Sequence, residues 1–203
     1  MREEAYMIIG LTGGIASGKS TAAAHLASKG ARVMDGDVLG HRAYEPETAA
    51  FARIAETFGA DVVGADNRID RKLLGGKVFG HPDALKQLTD ILYPEIRRMF
   101  AEWIGECQSE DADALLVMDA AVLLEARWED LADETWVVIV DPDIAVARAT
   151  KRDGLDEAAV RKRIASQLSN AERSARADVV IDNSGDPGAL TARLDSELAR
   201  ISG

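Results

Sequence analysis

Behind the apolar run YMII lies GLTGGIASGKST, residues 10–21, in which Gly13, Gly18, Lys19 and Ser20 satisfy the spacing G-x-x-x-x-G-K-[ST]. This is the phosphate-binding loop of nucleoside-triphosphatases and kinases, and each residue type in it has a physical reason. Glycines admit positive φ and close approach, so successive backbone N–H groups can converge on one anion. The helix that begins at the loop's end adds further free N–H groups and a partial positive charge. Lys19 has the reach to touch β- and γ-phosphates, and the Ser20 hydroxyl suits coordination of Mg²⁺. Gly13, Gly14, Ile15, Ala16, Ser17, Gly18, Lys19, Ser20 and Thr21 are therefore the candidate nucleotide contacts, and ATP with Mg²⁺ is the expected ligand.

Acidic residues stand at the ends of two further apolar runs. ARVMDGD places Asp35 and Asp37 past the second run, and LLVMD closes the third on Asp119. Carboxylates beside bound phosphates act as metal partners or as general base for an attacking hydroxyl. Plainer roles exist too: Asp37 as N-cap of a helix starting at Val38, Asp35 as a cap or in a turn, and Asp119 in a turn. His41 lies one helical turn after Asp37 and can face a substrate phosphate or solvent. Arg148 and Arg152 are spaced i, i+4, so their guanidiniums can cover one spot, over a phosphoryl group or in surface ion pairs. Arg161 and Arg163, two apart, cannot share a helix face.

The elements that must position these residues are legible from periodicity. Apolar runs at 6–11, 31–34, 114–118, 136–140 and 179–181 predict strands. They are continuous rather than alternating, as in a parallel sheet covered on both faces. Between them, helices are predicted at 20–29, 37–44, 47–58, 82–91, 94–108, 143–153, 156–169 and 187–201. Gly30 closes the first, Pro82 and Pro94 stand near helix starts, and Asp186-Pro187 opens the last. Strands alternating with helices give a doubly wound α/β fold, whose ligands lie beyond the C-terminal strand ends. About eighty residues separate the second and third strands, far more than one crossover needs, so that stretch reads as a helical substrate-binding insertion. The two charged helices after the fourth strand read as a lid.

Composition sets the outer limits. At 203 residues, with 47% hydrophobic and 29% charged, the chain suits one globular domain. A net charge of −11 argues against nucleic acid as a partner and requires any anion site to gather cations locally. Arg71 with Lys72, Arg97 with Arg98, Arg148 with Lys151 and Arg152, and Arg161 to Arg163 are the clusters available. One cysteine, Cys107, excludes an internal disulfide and a thiolate-rich zinc site. No apolar run is long enough for a secretory or membrane segment, so a cytoplasmic protein is expected, monomeric or weakly self-associating. On the residues alone, a small P-loop kinase and a non-catalytic nucleotide-binding regulator both stay open. No Asn-Lys-x-Asp stretch for reading guanine is present.

The stretches GLTGGIASGKST, DGD, DRKLLGGKVF, LYPEIR, DAAVLLEARW, KRDGL, RIASQ and ADVVIDNSG follow one another in an order that resembles the dephospho-CoA kinases, from about residue 8 to the C-terminal helix. DAAVLLEA is particularly similar to the kinase domain of bifunctional CoA synthases. The resemblance implies transfer of the ATP γ-phosphoryl group to the ribose 3′-hydroxyl of dephospho-CoA. It also implies a P-loop kinase-like three-layer α/β fold of one domain: core 1–36, 112–145 and 176–203, a helical CoA-binding region 37–111, and a lid 146–175. Carried over by position, Asp37 matches the base, Gly13 to Thr21 the ATP loop, and Arg148 and Arg152 the arginines at the lid's base. Asn183 completes the ATP contacts, and Asp35, His41, Arg71 and Asp119 join Asp37 on the substrate side. The chain departs from the family in Gly36 between the two acids, in Tyr93 where a histidine commonly precedes proline, and in a missing proline after Asp119.

Overall fold

A computed structural model describes residues 7–154, 156–186 and 188–202. Five strands are present: β1 (Met7–Gly13), β2 (Arg32–Asp35), β3 (Leu115–Asp119), β4 (Glu134–Ile139) and β5 (Val179–Asp182). The helices are α1 (Lys19–Ser28), α2 (Gly36–Arg42), α3 (Ala49–Phe58), α4 (Arg71–Val78), α5 (Pro82–Glu110), α6 (Pro142–Asp153), α7 (Glu157–Ala165), α8 (Asn170–Ser174) and α9 (Ala189–Ile201). The strands form one parallel sheet in the order β2-β3-β1-β4-β5. Its central strands are buried along almost their whole length, which is why they read as unbroken apolar runs.

Strand order decides where a ligand can bind. β1 leads on to β2 at one edge, and β4 leads on to β5 at the other. The crevice beyond the carboxyl ends of β1 and β4 is therefore the switch point of the sheet. Register brings Leu11 opposite Asp119 and Gly13 opposite Val138, so the glycine loop and the Asp119 carboxylate leave the sheet side by side. One face of the sheet is closed by α1 and α9, with Ala22, Leu26, Leu190 and Leu194 packed on Leu11, Val117, Trp136 and Ile181. Glu134 fastens β4 to α9: it accepts from the Trp136 indole at 2.8 Å and from Arg200 at 2.9 and 2.6 Å.

The chain divides into two compact units, one of residues up to Met34 and from Cys107 onward, the other Asp35–Glu106. The second has its own core of Ala50, Ile54, Val62, Ile69, Leu74, Val78 and Ile91. Among the described residues no helix is long and apolar enough to cross a membrane.

Several boundaries differ from expectation. Tyr6 lies outside the described residues, and β1 runs on to Gly13, two residues further than the apolar run. Pro94 does not start a new helix: α5 continues through it. Its lost N–H is a local cost, outweighed by apolar positions that stay buried on both sides, Ile91 before it and Ile96, Phe100 and Ile104 after it. Residues 71–78 are helical despite Gly75 and Gly76, because Asp70 caps the N–H groups of Lys72 and Leu73. The stretch expected as one helix at 156–169 ends already at Ala165, and the Ser169 hydroxyl with Glu172 forms a capping box that starts the separate α8. The last helix begins at Ala189, and Pro187 lies outside the described residues.

An interior proline costs a helix about 3 kcal/mol relative to alanine. Pro94→Ala should therefore raise the melting temperature, with far-UV helicity unchanged or higher. A lower melting temperature would mean that packing at position 94 depends on the proline ring.

Candidate active site

The loop between β1 and α1 is shaped by two close approaches. A Cβ on Gly13 would stand 2.6 Å from the Val138 carbonyl oxygen and 2.5 Å from Ser17 Oγ, so only glycine lets the chain turn there. Gly18, the N-cap of α1, has φ 102° and lies against the Asn183 side-chain amide, which a Cβ would strike. From just beyond β5, Asn183 Nδ2 donates to the Ser17 carbonyl at 2.7 Å, while its own N–H bonds to the Ile139 carbonyl at 2.9 Å. Ala16 takes φ 55°, an uncommon conformation for a residue with a Cβ. Ser17 is buried, and its hydroxyl has no hydrogen-bond partner among the described residues.

Lys19 is the first residue of α1, and its ammonium donates to Asp119 Oδ1. Asp119 is 6% exposed, so this is a largely buried ion pair, fixed where β1 and β3 end together. Ser20 and Thr21 are exposed in the first turn of α1, and their hydroxyls make no hydrogen bond among the described residues. A free hydroxyl oxygen at a helix start is a suitable hard donor for a cation that also takes phosphate oxygens.

Helix α6 brings Arg148 to this region: its Nη2 donates to the Asn183 carbonyl at 3.0 Å. Arg152 has a different partner. Both of its engaged nitrogens bond Asp153, at 2.7 and 2.8 Å, which holds that carboxyl below its ordinary 3.8. Geometry thus splits the i, i+4 pair, with Arg152 in a surface ion pair and Arg148 on the loop's support. Arg161 likewise pairs with Asp143 and Glu157, at 2.9 and 2.8 Å, tying α6 to α7. Ile15 and Ala16 of the loop pack on Val146 and Ala149 of α6 and Val160 and Ile164 of α7. The Ile15 N–H donates to Gln167 Oε1 at 3.0 Å.

In the second unit, the acids Asp35 and Asp37 have separate duties. Asp35, not Asp37, is the N-cap of α2, its Oδ1 accepting from the Asp37 N–H at 2.7 Å. The helix starts at Gly36, two residues before the Val38 start that an Asp37 cap requires, which puts Asp37 inside the first turn. Its carboxylate is exposed and takes no hydrogen bond among the described residues. His41 is exposed in the last turn of α2, and Arg71 is exposed at the first residue of α4.

Comparison with known proteins places this geometry. The family model for dephospho-CoA kinase matches residues 7–187. A dephospho-CoA kinase of Anaeromyxobacter dehalogenans is 43% identical, over 97% of this chain and 92% of its own. The chain belongs to the dephospho-CoA kinase family. A crystal structure of a Thermus thermophilus protein superposes with a TM-score of 0.80 at 34% identity, covering 98% of this chain and all of that one (100%). The dephospho-CoA kinase structure from Campylobacter jejuni, 24% identical with a TM-score of 0.65 over 98% of this chain and 99% of its own, shares the fold.

Within this P-loop kinase fold, several loop supports have no signature in the sequence. Arg173 is fully buried, donating to the Leu168 carbonyl at 3.2 Å and to Glu125 at 3.0 Å. Asn170 Nδ2 donates to the Val140 carbonyl at 2.8 Å. Gln167 lies in RIASQ, one of the family-like stretches, but a single amide has no spacing that predicts its partner.

Asn183→Ala should cost about 1 kcal/mol, the usual net value of one hydrogen bond, and weaken ATP binding severalfold. Gly18→Ala should cost more, about 1–3 kcal/mol for backbone strain plus the collision with Asn183. Thermal unfolding and ATP titration of both variants check this order. A Gly18→Ala protein as stable and as tightly binding as the parent would contradict the loop geometry.

Proposed function

We propose that the loop and Lys19 hold the polyphosphate of ATP, and that Asp37 orients and deprotonates the ribose 3′-hydroxyl of dephospho-CoA. The overall reaction is that of the family, phosphorylation of dephospho-CoA to coenzyme A. The observation that carries the reading is a complete phosphate loop with Lys19 set against the Asp119 carboxylate, in a chain that the family model matches over residues 7–187.

Phosphoryl transfer needs positioning and charge neutralisation more than covalent help from the protein. The backbone N–H groups of the loop supply fixed donors that do not reorganise during the reaction. Lys19, held by Asp119 in the absence of nucleotide, would turn its ammonium to the phosphate oxygens when ATP binds. Ser20 would hold Mg²⁺ together with phosphate oxygens. The ion, when bound, neutralises charge between the β- and γ-groups. Arg148 has guanidinium N–H groups beyond the one used on Asn183, and these suit the charge of the transferring group. Arg152 would first have to leave Asp153. Asp37 supports the base role because its neighbour Asp35 already does the capping. Its own oxygens remain available for a proton. The acceptor's remaining groups belong with the Asp35–Glu106 unit, including His41 and Arg71, and the α6–α7 segment acts as the lid. A cytoplasmic enzyme fits this role.

Asp37→Asn keeps the size of the side chain and leaves the Asp35 cap intact. It should preserve ATP binding while coenzyme A formation falls by roughly two to four orders of magnitude, nearer the lower end for a loose transition state. Chromatography of coenzyme A formed from dephospho-CoA, beside reactions offered nucleoside monophosphates, gives the answer. Unchanged coenzyme A formation would remove the base role from Asp37. Faster transfer to a nucleoside monophosphate would overturn the choice of acceptor.

A further inference from the structure

The Gln167 side chain is held at the phosphate loop by more than chance contact. It lies in the short link between α7 and α8, which is pinned at two points on the C-terminal side of Gln167. The fully buried Arg173 bonds the Leu168 carbonyl, at 3.2 Å. Beyond it, Asn170 bonds the Val140 carbonyl at the end of β4, at 2.8 Å. The carboxamide oxygen then accepts from the Ile15 N–H at 3.0 Å.

That single bond fixes the orientation of the whole amide. A backbone N–H can only donate, so the atom facing Ile15 is the oxygen and the other end is the NH₂ group. The NH₂ group makes no hydrogen bond among the described residues. Gln167 also lines an open cavity of about 530 Å³ between Gly14, Ile15 and Ser17 of the loop and Val140, Ala145 and Ile164. The oxygen is thus tethered to the loop while two N–H donors remain unused beside it.

We infer that Gln167 is an additional phosphate-binding residue of the nucleotide site, its oxygen tethered to the Ile15 N–H and its NH₂ group donating to the polyphosphate. The inference rests on the nucleotide site proposed above. It extends the row of loop N–H donors with a neutral side-chain donor, adding hydrogen bonds to an anion without a charge that would need a counterion. Because the amide comes from the link between α7 and α8, bound phosphate and lid segment would share a direct bond.

Two substitutions separate the donor from its alternatives. Gln167→Glu keeps an acceptor for the Ile15 N–H but replaces the NH₂ with a negative oxygen. Gln167→Met keeps the length and removes both functions. Binding of ATP and of inorganic tripolyphosphate is measured by calorimetry on the full chain, and melting of the ligand-free proteins verifies that each variant is folded. A donor to an anion predicts that both variants lose affinity for tripolyphosphate, by about 10-fold for Met and about 100-fold for Glu, with matching losses for ATP. A loss confined to Met would mean that the amide only tethers the lid. A loss confined to Glu would mean that the side chain is near the anion without bonding it. Tighter binding by Met would mean that the amide obstructs the site. Any of these three overturns the inference while leaving the nucleotide site standing. Failure of the parent protein to bind either ligand would instead overturn the nucleotide site itself.

Discussion

An acidic chain of net charge −11 has to hold a polyphosphate, and the rest of the structure follows from how it does so. Surface carboxylates repel such a ligand, but in physiological salt their field decays over about 8 Å. What decides binding is therefore the local donor set. In the proposed site it consists chiefly of backbone N–H groups, aligned by Gly13 and Gly18, and the Lys19 ammonium, joined by the Arg148 and Gln167 side chains. Backbone donors carry no net charge, so the acidic surface can be kept for other purposes. Lys19 is pre-positioned by Asp119, and the pair sits where register brings the ends of β1 and β3 together.

A loop built for close approach has little side-chain packing of its own, and its stiffness must come from outside. Asn183 clamps Ser17 from the end of β5, and Arg148 in turn bonds the Asn183 carbonyl. Gln167 holds Ile15, while Ile15 and Ala16 pack into an apolar cluster with α6 and α7. The strained Ala16 conformation is held by these neighbours together. Each support comes from a segment that follows β4 or β5, so the loop's shape depends on the completed sheet. The α6–α7 segment, packed directly on the loop, would in the proposed lid role respond when phosphate arrives.

The parts of this arrangement that are contiguous in the chain could be read from residue order. The loop is nine consecutive residues, and the strands are apolar runs because the sheet is covered on both faces. Capping was harder. Asp35 and Asp37 are both reasonable caps, and only the true start of α2 at Gly36 assigns the duty to Asp35. Pro94 is a strong local stop signal, overridden by burial along α5 that no local signal contains. The loop supports were least legible. The Ile15–Gln167 and Ser17–Asn183 bonds join residues 152 and 166 positions apart, and neither amide has a spacing rule. Family resemblance pointed to Asn183 as a nucleotide contact. Its clamp on the loop's own backbone is a separate duty that only the fold reveals.

The proposed reaction is direct phosphoryl transfer from a loop-bound ATP to dephospho-CoA. Its most direct measurement is mass spectrometry of the products after turnover with ATP carrying heavy oxygen in the γ-phosphoryl group. Direct transfer yields coenzyme A that contains the labelled phosphoryl group, with little labelled inorganic phosphate. Label appearing chiefly in inorganic phosphate, at a rate independent of dephospho-CoA, would contradict it.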